Sequence, residues 1–296
     1  MDMSPATLSH SIASFQSQVL SALFGSPSAQ KNGNVFSALL AQKTGINNAD
    51  TNIDTWFNPV RAKGLSPTGR NLSLFDPESA YKMMSFINNR DVLYKAQFSE
   101  MNEIKSHLTH LQGAVQSLTT IGVSTPDSDI QIQLQNFTDQ YNQWVHRFNS
   151  DVQQGGLLAG TQAAEVSLYE LEQSIKNRFN GAQDGMHGLS DLGISIDPNT
   201  KLATLDTHKL GAVLNSDKQA AVNTVQAFSK NFGLSARLLN APNNFIPNQL
   251  DNLHRAIDYI EKNKQALRAE FGTGDAAKPT GEVARALAAY QQSFAA

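Results

Sequence analysis

The sequence contains seven histidines, and two of them are spaced for metal chemistry. His107 and His110 stand three apart in a helical pattern, where two imidazoles can clip one ion. No Glu-x-x-His or His-Glu-x-x-His pattern supplies a carboxylate beside them. Both flank an apolar seam with Leu108 and Leu111, which makes them surface residues. Gly188 and Gly193 are spaced like a phosphate loop, but no Lys-Ser/Thr follows and a strand pattern comes next. No Gly-x-Ser-x-Gly elbow is present. The acidic pairs Asp127/Asp129 and Glu170/Glu172 suit helix caps and solvated faces better than a general-acid dyad. Cysteine is absent, which excludes disulfides, thiolate nucleophiles and cysteine zinc sites. The expectation is a protein that is not an enzyme and carries no cofactor and no metal.

The elements that position these residues are more informative than the residues themselves. Between Gly188 and Leu214, Leu192, Ile194 and Ile196 alternate with polar residues before an Asp-Pro-Asn-Thr turn, and Leu202 and Leu205 follow it. Period-2 alternation on both sides of a turn predicts a β-hairpin over 188–206. Pro198 presets the turn, and Asn199 tolerates the left-handed conformation and bonds its own backbone. Asp206 then stands as the N-cap of a helix carrying Leu210, Val213 and Leu214.

Helices fill most of the remaining chain. Asp76-Pro77 opens one over 77–121, whose Met101, Ile104, Leu108, Leu111, Val115 and Leu118 step by three and four. A second, over 126–152, carries Leu134, Phe137, Tyr141, Val145, Phe148 and Val152. Thr161 is placed to cap a third. Ser216-Asp217-Lys218-Gln219 reads as a capping box opening a helix with Val222, Val225 and Phe228. The last long helix, 247–271, carries Leu250, Leu253, Ile257, Ile260 and Leu267. The predicted fold is mainly α: an elongated helical bundle of coiled-coil-like long helices with a small β-hairpin covering one end.

Four of these segments, in order, resemble the bacterial flagellar hook-associated protein 2 (filament cap, FliD) family. They are Tyr94, Gln97-Phe98-Ser99 and Lys105-Ser106-His107-Leu108 in the first helix; Phe137, Tyr141 and Asn142 in the second; the Gly-rich stretch 155–175; and the hairpin with its Asp206 helix. The family carries two β-rich outer domains between the first helix and the Phe-x-x-x-Tyr-Asn segment. Here only Thr119 to Ile130 joins them. The resemblance therefore implies a reduced, cap-like protein made mainly of the helical inner domain.

Composition bears on partners and location. With 296 residues, a net charge of −3 and 17% charged residues, the chain offers no basic face for nucleic acid. No apolar run of about eighteen residues predicts membrane insertion. Met1 to Phe24 has neither the basic start nor the apolar block of a Sec signal peptide. The expected organisation is an N-terminal extension, 1–76, weakly structured or docking, with Trp56 and Phe57 as buried anchors if it docks and exposed recognition residues if it does not. The cap-like helical domain follows over 77–271, then a flexible tether and amphipathic helix over 272–296.

The resemblance implies a flagellar axial or accessory protein, exported by the flagellar type III route and cytoplasmic before export. It would assemble with itself or with other flagellar subunits. The candidate assembly seam is Leu108, Leu111, Val115, Leu253, Ile257, Ile260 and Leu267. The tail stripe, Val283, Leu287, Tyr290 and Phe294, fits a partner's groove through i, i+4 and i+7 anchors, or folds back on its own bundle. The family resemblance makes an export chaperone the tail's expected partner. The competing reading is a cytoplasmic export chaperone or adaptor built on the same helices. A wall hydrolase is a third reading, for which the sequence shows no buried carboxylate pair.

Overall fold

A computed structural model describes residues 64–177 and 186–294. Most of the N-terminal extension, with Trp56 and Phe57, lies outside the described residues. Six helices and one two-stranded sheet occur among the described residues: α1 (Pro77–Leu118), α2 (Asp127–Val152), α3 (Gln162–Lys176), β1 (Ile194–Ile196), β2 (Ala203–Leu205), α4 (Thr207–Leu239), α5 (Phe245–Phe271) and α6 (Gly281–Phe294). The fold class is mainly α with a small hairpin, as the apolar periodicities require.

Local chemistry sets the boundaries. Ser79 N donates to Asp76 Oδ1 at 3.0 Å, and Lys209 N donates to Asp206 Oδ1 at 3.0 Å, so both aspartates cap the helices they precede. The chain divides into two compact units, one of residues up to Asn88 with Asp258–Ala276, the other of Asn89–Ile257 with Ala277–Ala296. The boundaries read from the sequence near 76 and 271 both fall within the first unit.

In the second unit, α4 runs antiparallel to α1. Gln226 Nε2 donates to Ile121 O at 2.8 Å, and Asn240 Nδ2 donates to Lys105 O at 3.4 Å, so rising numbers on one helix meet falling numbers on the other. Between these two points a side chain at Gly233 would lie 3.9 Å from Val115. The core is aromatic. Phe137 meets Phe228 and Phe232 edge-on, with centroids 5.1 and 5.4 Å apart, and Trp144 meets Phe148 at 4.9 Å. Helix α3 packs on α2 and α4.

The hairpin pairs Ile194 with Leu205 and Ile196 with Ala203. Its burial alternates, with Ile194 and Ala203 inside and Ser195 and Thr204 outside. Two details differ from expectation. The left-handed turn residue is Lys201 (φ 63°), two residues past Asn199, while Asp197 Oδ1 accepts from the amides of Asn199 and Thr200. The expected capping box at Ser216 is a kink inside α4 instead. Asp217 (φ −153°) leaves the helical region and accepts from Ala220 N at 2.9 Å, while Ser216 Oγ donates back to Val213 O.

In the first unit the loop before α1 closes on the end of α5. Asn71 Nδ2 donates to Ala269 O and Glu270 O, at 2.9 and 3.2 Å, satisfying two of the carbonyls a helix end leaves open. Gly272 (φ 89°) supplies the left-handed residue after the helix, its N–H bonded to Arg268 O.

Candidate functional site

All seven candidate seam residues are buried within the single chain: Leu108, Leu111, Val115, Leu253, Ile257, Ile260 and Leu267, none more than 7% exposed. The apolar stripes of α1 and α5 are thus already covered. Leu111 and Ile257, whose joint exposure would exclude a helical bundle, are 2% and 1% exposed.

The tail stripe is covered unevenly. Tyr290 is buried, Val283 and Leu287 are half-buried, and Phe294 is 44% exposed. Helix α6 folds back on its own chain. Ala286 joins Ala96 and Leu157 in a small cluster, with Leu93 and Val283 against it. The ring of Phe98 meets Tyr290 and Phe294 edge-on at 5.9 and 5.1 Å. Leu157 belongs to the Gly155-Gly156 loop, and Gln97 Nε2 fixes it by donating to Leu157 O at 3.0 Å.

A charged cluster that sequence reasoning missed lies between α1 and α2. Glu100 and Asp151 are 2% and 1% exposed. Arg147 spans the group: Nη2 pairs with Glu100, Nε and Nη2 with Glu103 at 3.1 and 2.5 Å, and Nη1 with Asp151 at 3.0 Å. Its guanidinium also lies 4.8 Å over the Phe148 ring. Three carboxylates face one guanidinium. Burial, together with a hydrogen bond to Asp151, pushes the Glu100 carboxyl up to about 7, against the pull of Arg147. The signal was in the sequence, since Glu100 stands midway between Ala96 and Ile104 on the inner face of α1.

Glu100 is buried against Arg147 of α2, where burial favours its protonated form. His107 stacks edge-on against Phe148 at 5.2 Å, and burial pushes its pKa down. His110 is exposed beside it, at 6.1 Å between ring centroids. No group of three or more His, Asp or Glu side chains that could hold a metal occurs among the described residues.

The Phe-x-x-x-Tyr-Asn segment has a clear structural role. Phe137 and Tyr141 are each 1% exposed in the core. Asn142 turns outward to the hairpin, where its Oδ1 accepts from Ala203 N at 2.7 Å and its Nδ2 donates to Ala203 O at 2.9 Å. One side chain thus satisfies both backbone groups of a strand residue. The family model for the C-terminus of flagellar hook-associated protein 2 matches residues 109–275, more than half of the chain. The chain belongs to the hook-associated protein 2 family.

Within this family match lie α2, α3, the hairpin, α4, α5 and the latter part of α1, whereas α6 lies beyond it. The crystal structure of the D1-D2-D3 domains of the flagellar cap protein FliD from Escherichia coli is similar at 21% identity and a TM-score of 0.38. The similarity covers 43% of this chain and 37% of that one, so this chain spans little more than a third of that structure's length. No curated protein matches the chain. No described helix is long and apolar enough to cross a membrane.

Proposed function

We propose that the chain is a non-enzymatic flagellar axial or accessory protein that works by assembling with itself or with other flagellar subunits. The observation that supports this most is the hook-associated protein 2 match over 109–275, which takes in α2, α3, the hairpin, α4, α5 and the end of α1. Because the seam is consumed by the chain's own core, assembly is proposed to use outward-facing apolar residues. Leu234 and Leu238 fit that role. They stand one helical turn apart on α4 and are 44% and 49% exposed. A specific interface of about 1,200–2,000 Å² needs more than one such pair, so neighbouring elements must contribute.

The tail helix is proposed as the element an export chaperone grips before secretion through the flagellar route. Light scattering on the full-length protein, alone and with flagellar subunits, tests the assembly reading. Closed rings or defined hetero-complexes are the expected result. A protein that stays a single chain with every flagellar subunit removes this reading.

A further inference from the structure

The two halves of the C-terminal segment are held in different ways. Residues 272–275 are fastened within the first unit by polar contacts. Thr273 N donates to Gly69 O at 2.8 Å, and Asn88 Nδ2 donates to Thr273 O at 3.1 Å and Asp275 O at 2.8 Å. Asp275 N donates to Ser85 Oγ at 2.7 Å, and Tyr81 OH donates to Asp275 Oδ1 at 2.9 Å. Backbone fit adds to this. A Cβ at Gly272 or Gly274 would come within 2.4 Å of Gly69 O or Ser85 N respectively.

Helix α6, in the second unit, rests on an apolar face. Only Ala286 and Tyr290 of its residues are buried. Its contacts include the small apolar cluster with Ala96 and Leu157 and the edge contacts with Phe98. A cleft of roughly 560 Å³, lined by Leu93, Gln97, Leu157, Thr280 and Val283, opens beside its first turn. A Cβ at Gly281 (φ 57°) would meet nothing within 4 Å. A helix of fourteen residues gains little from propensity alone, so its stability depends on the face it rests against.

We infer that α6 is a detachable arm, closed here on α1 and the Leu157 loop, and that a partner of the tail gains its face only by opening it. This rests on the reading of the tail as a partner-binding element and adds its regulation. The pivot is the link 277–280, since the segment before it is fastened. The partner class is a helical protein with an apolar groove that takes Val283, Leu287, Tyr290 and Phe294. Residues of α1 already lie against Val283, Tyr290 and one edge of Phe294, so self-docking and partner-docking compete for the same stripe. The closed fraction then lowers the partner's apparent affinity in proportion.

Hydrogen exchange on the full-length chain tests the arm without any partner. The α6 amides are expected to exchange about 100-fold or more faster than those of α2, through an opening that leaves the Thr273 and Asp275 amides protected. Phe98→Ala should speed α6 by about tenfold or more with α2 unchanged. Val283→Ala, a smaller truncation, should do the same more weakly and serves if Phe98→Ala unfolds. Exchange of α6 no faster than that of α2, or a variant that speeds both equally, overturns the inference. A chain that is never exported would sink the flagellar reading and leave this result untouched.

Discussion

At the scale of single residues, the most consequential side chain is Glu100. Burial pushes its carboxyl up to about 7 in the folded chain, from an ordinary value of 4.5. The groups around it are Glu103 on its own helix and Arg147 and Asp151 on α2. A carboxyl raised on folding keeps a proton that the unfolded chain has lost. Its stabilising effect is therefore complete below about pH 4.5 and is lost as pH rises towards 7. Urea unfolding at pH 5 and pH 8 should show that loss, on the order of 2 kcal/mol. Glu100→Gln should flatten the difference, and an equal slope in both proteins would refute the assignment. Asn142 offers a second residue-scale test. Asn142→Ala leaves Ala203 N and O without their partner and should cost about 1–3 kcal/mol, with chemical shifts changing in the hairpin before the helices.

At the scale of elements, the two long apolar stripes are core. Leu111→Ala or Ile257→Ala should each cost about 2–5 kcal/mol of unfolding free energy and leave the oligomeric state alone. A variant that keeps its stability and loses assembly would return the stripe to an interface. The hairpin has its own test in Gly193, where φ is 90° and a Cβ would lie 2.7 Å from Asp206 O. Gly193→Ala should destabilise by more than about 1 kcal/mol. These elements were legible in the sequence because their signals are local: Asp76 and Asp206 as caps, three-four stepping along α1, and alternation around Asp197-Pro198. What stayed hidden is not local. Asp217 took the cap expected of Ser216 because the helix bends there. Arg147 meets Glu100 across two helices, and Asn71 reaches Ala269 through most of the chain's length, contacts that no window of sequence contains.

At the scale of the whole molecule, the chain belongs to the hook-associated protein 2 family, whose model matches residues 109–275. The segment between α1 and α2 is only a short turn, where the family resemblance places outer β-rich domains. Under the proposed function, the surfaces used for assembly are those the helices present, and under the further inference α6 is the part that opens. Deleting residues 280–296 should leave unfolding cooperative, uncover Phe98 and abolish chaperone binding or export. A truncated chain that is exported normally would contradict the tail's role.

The central claim is that this is an exported flagellar structural protein. Its most direct test is detection of the full-length chain in culture supernatant, in cells with and without a working flagellar export apparatus. The account predicts that the protein is found outside the cell and that it vanishes from the medium when export is blocked. A protein that stays in the cytoplasm in both strains, or that leaves the cell equally well in both, would contradict it.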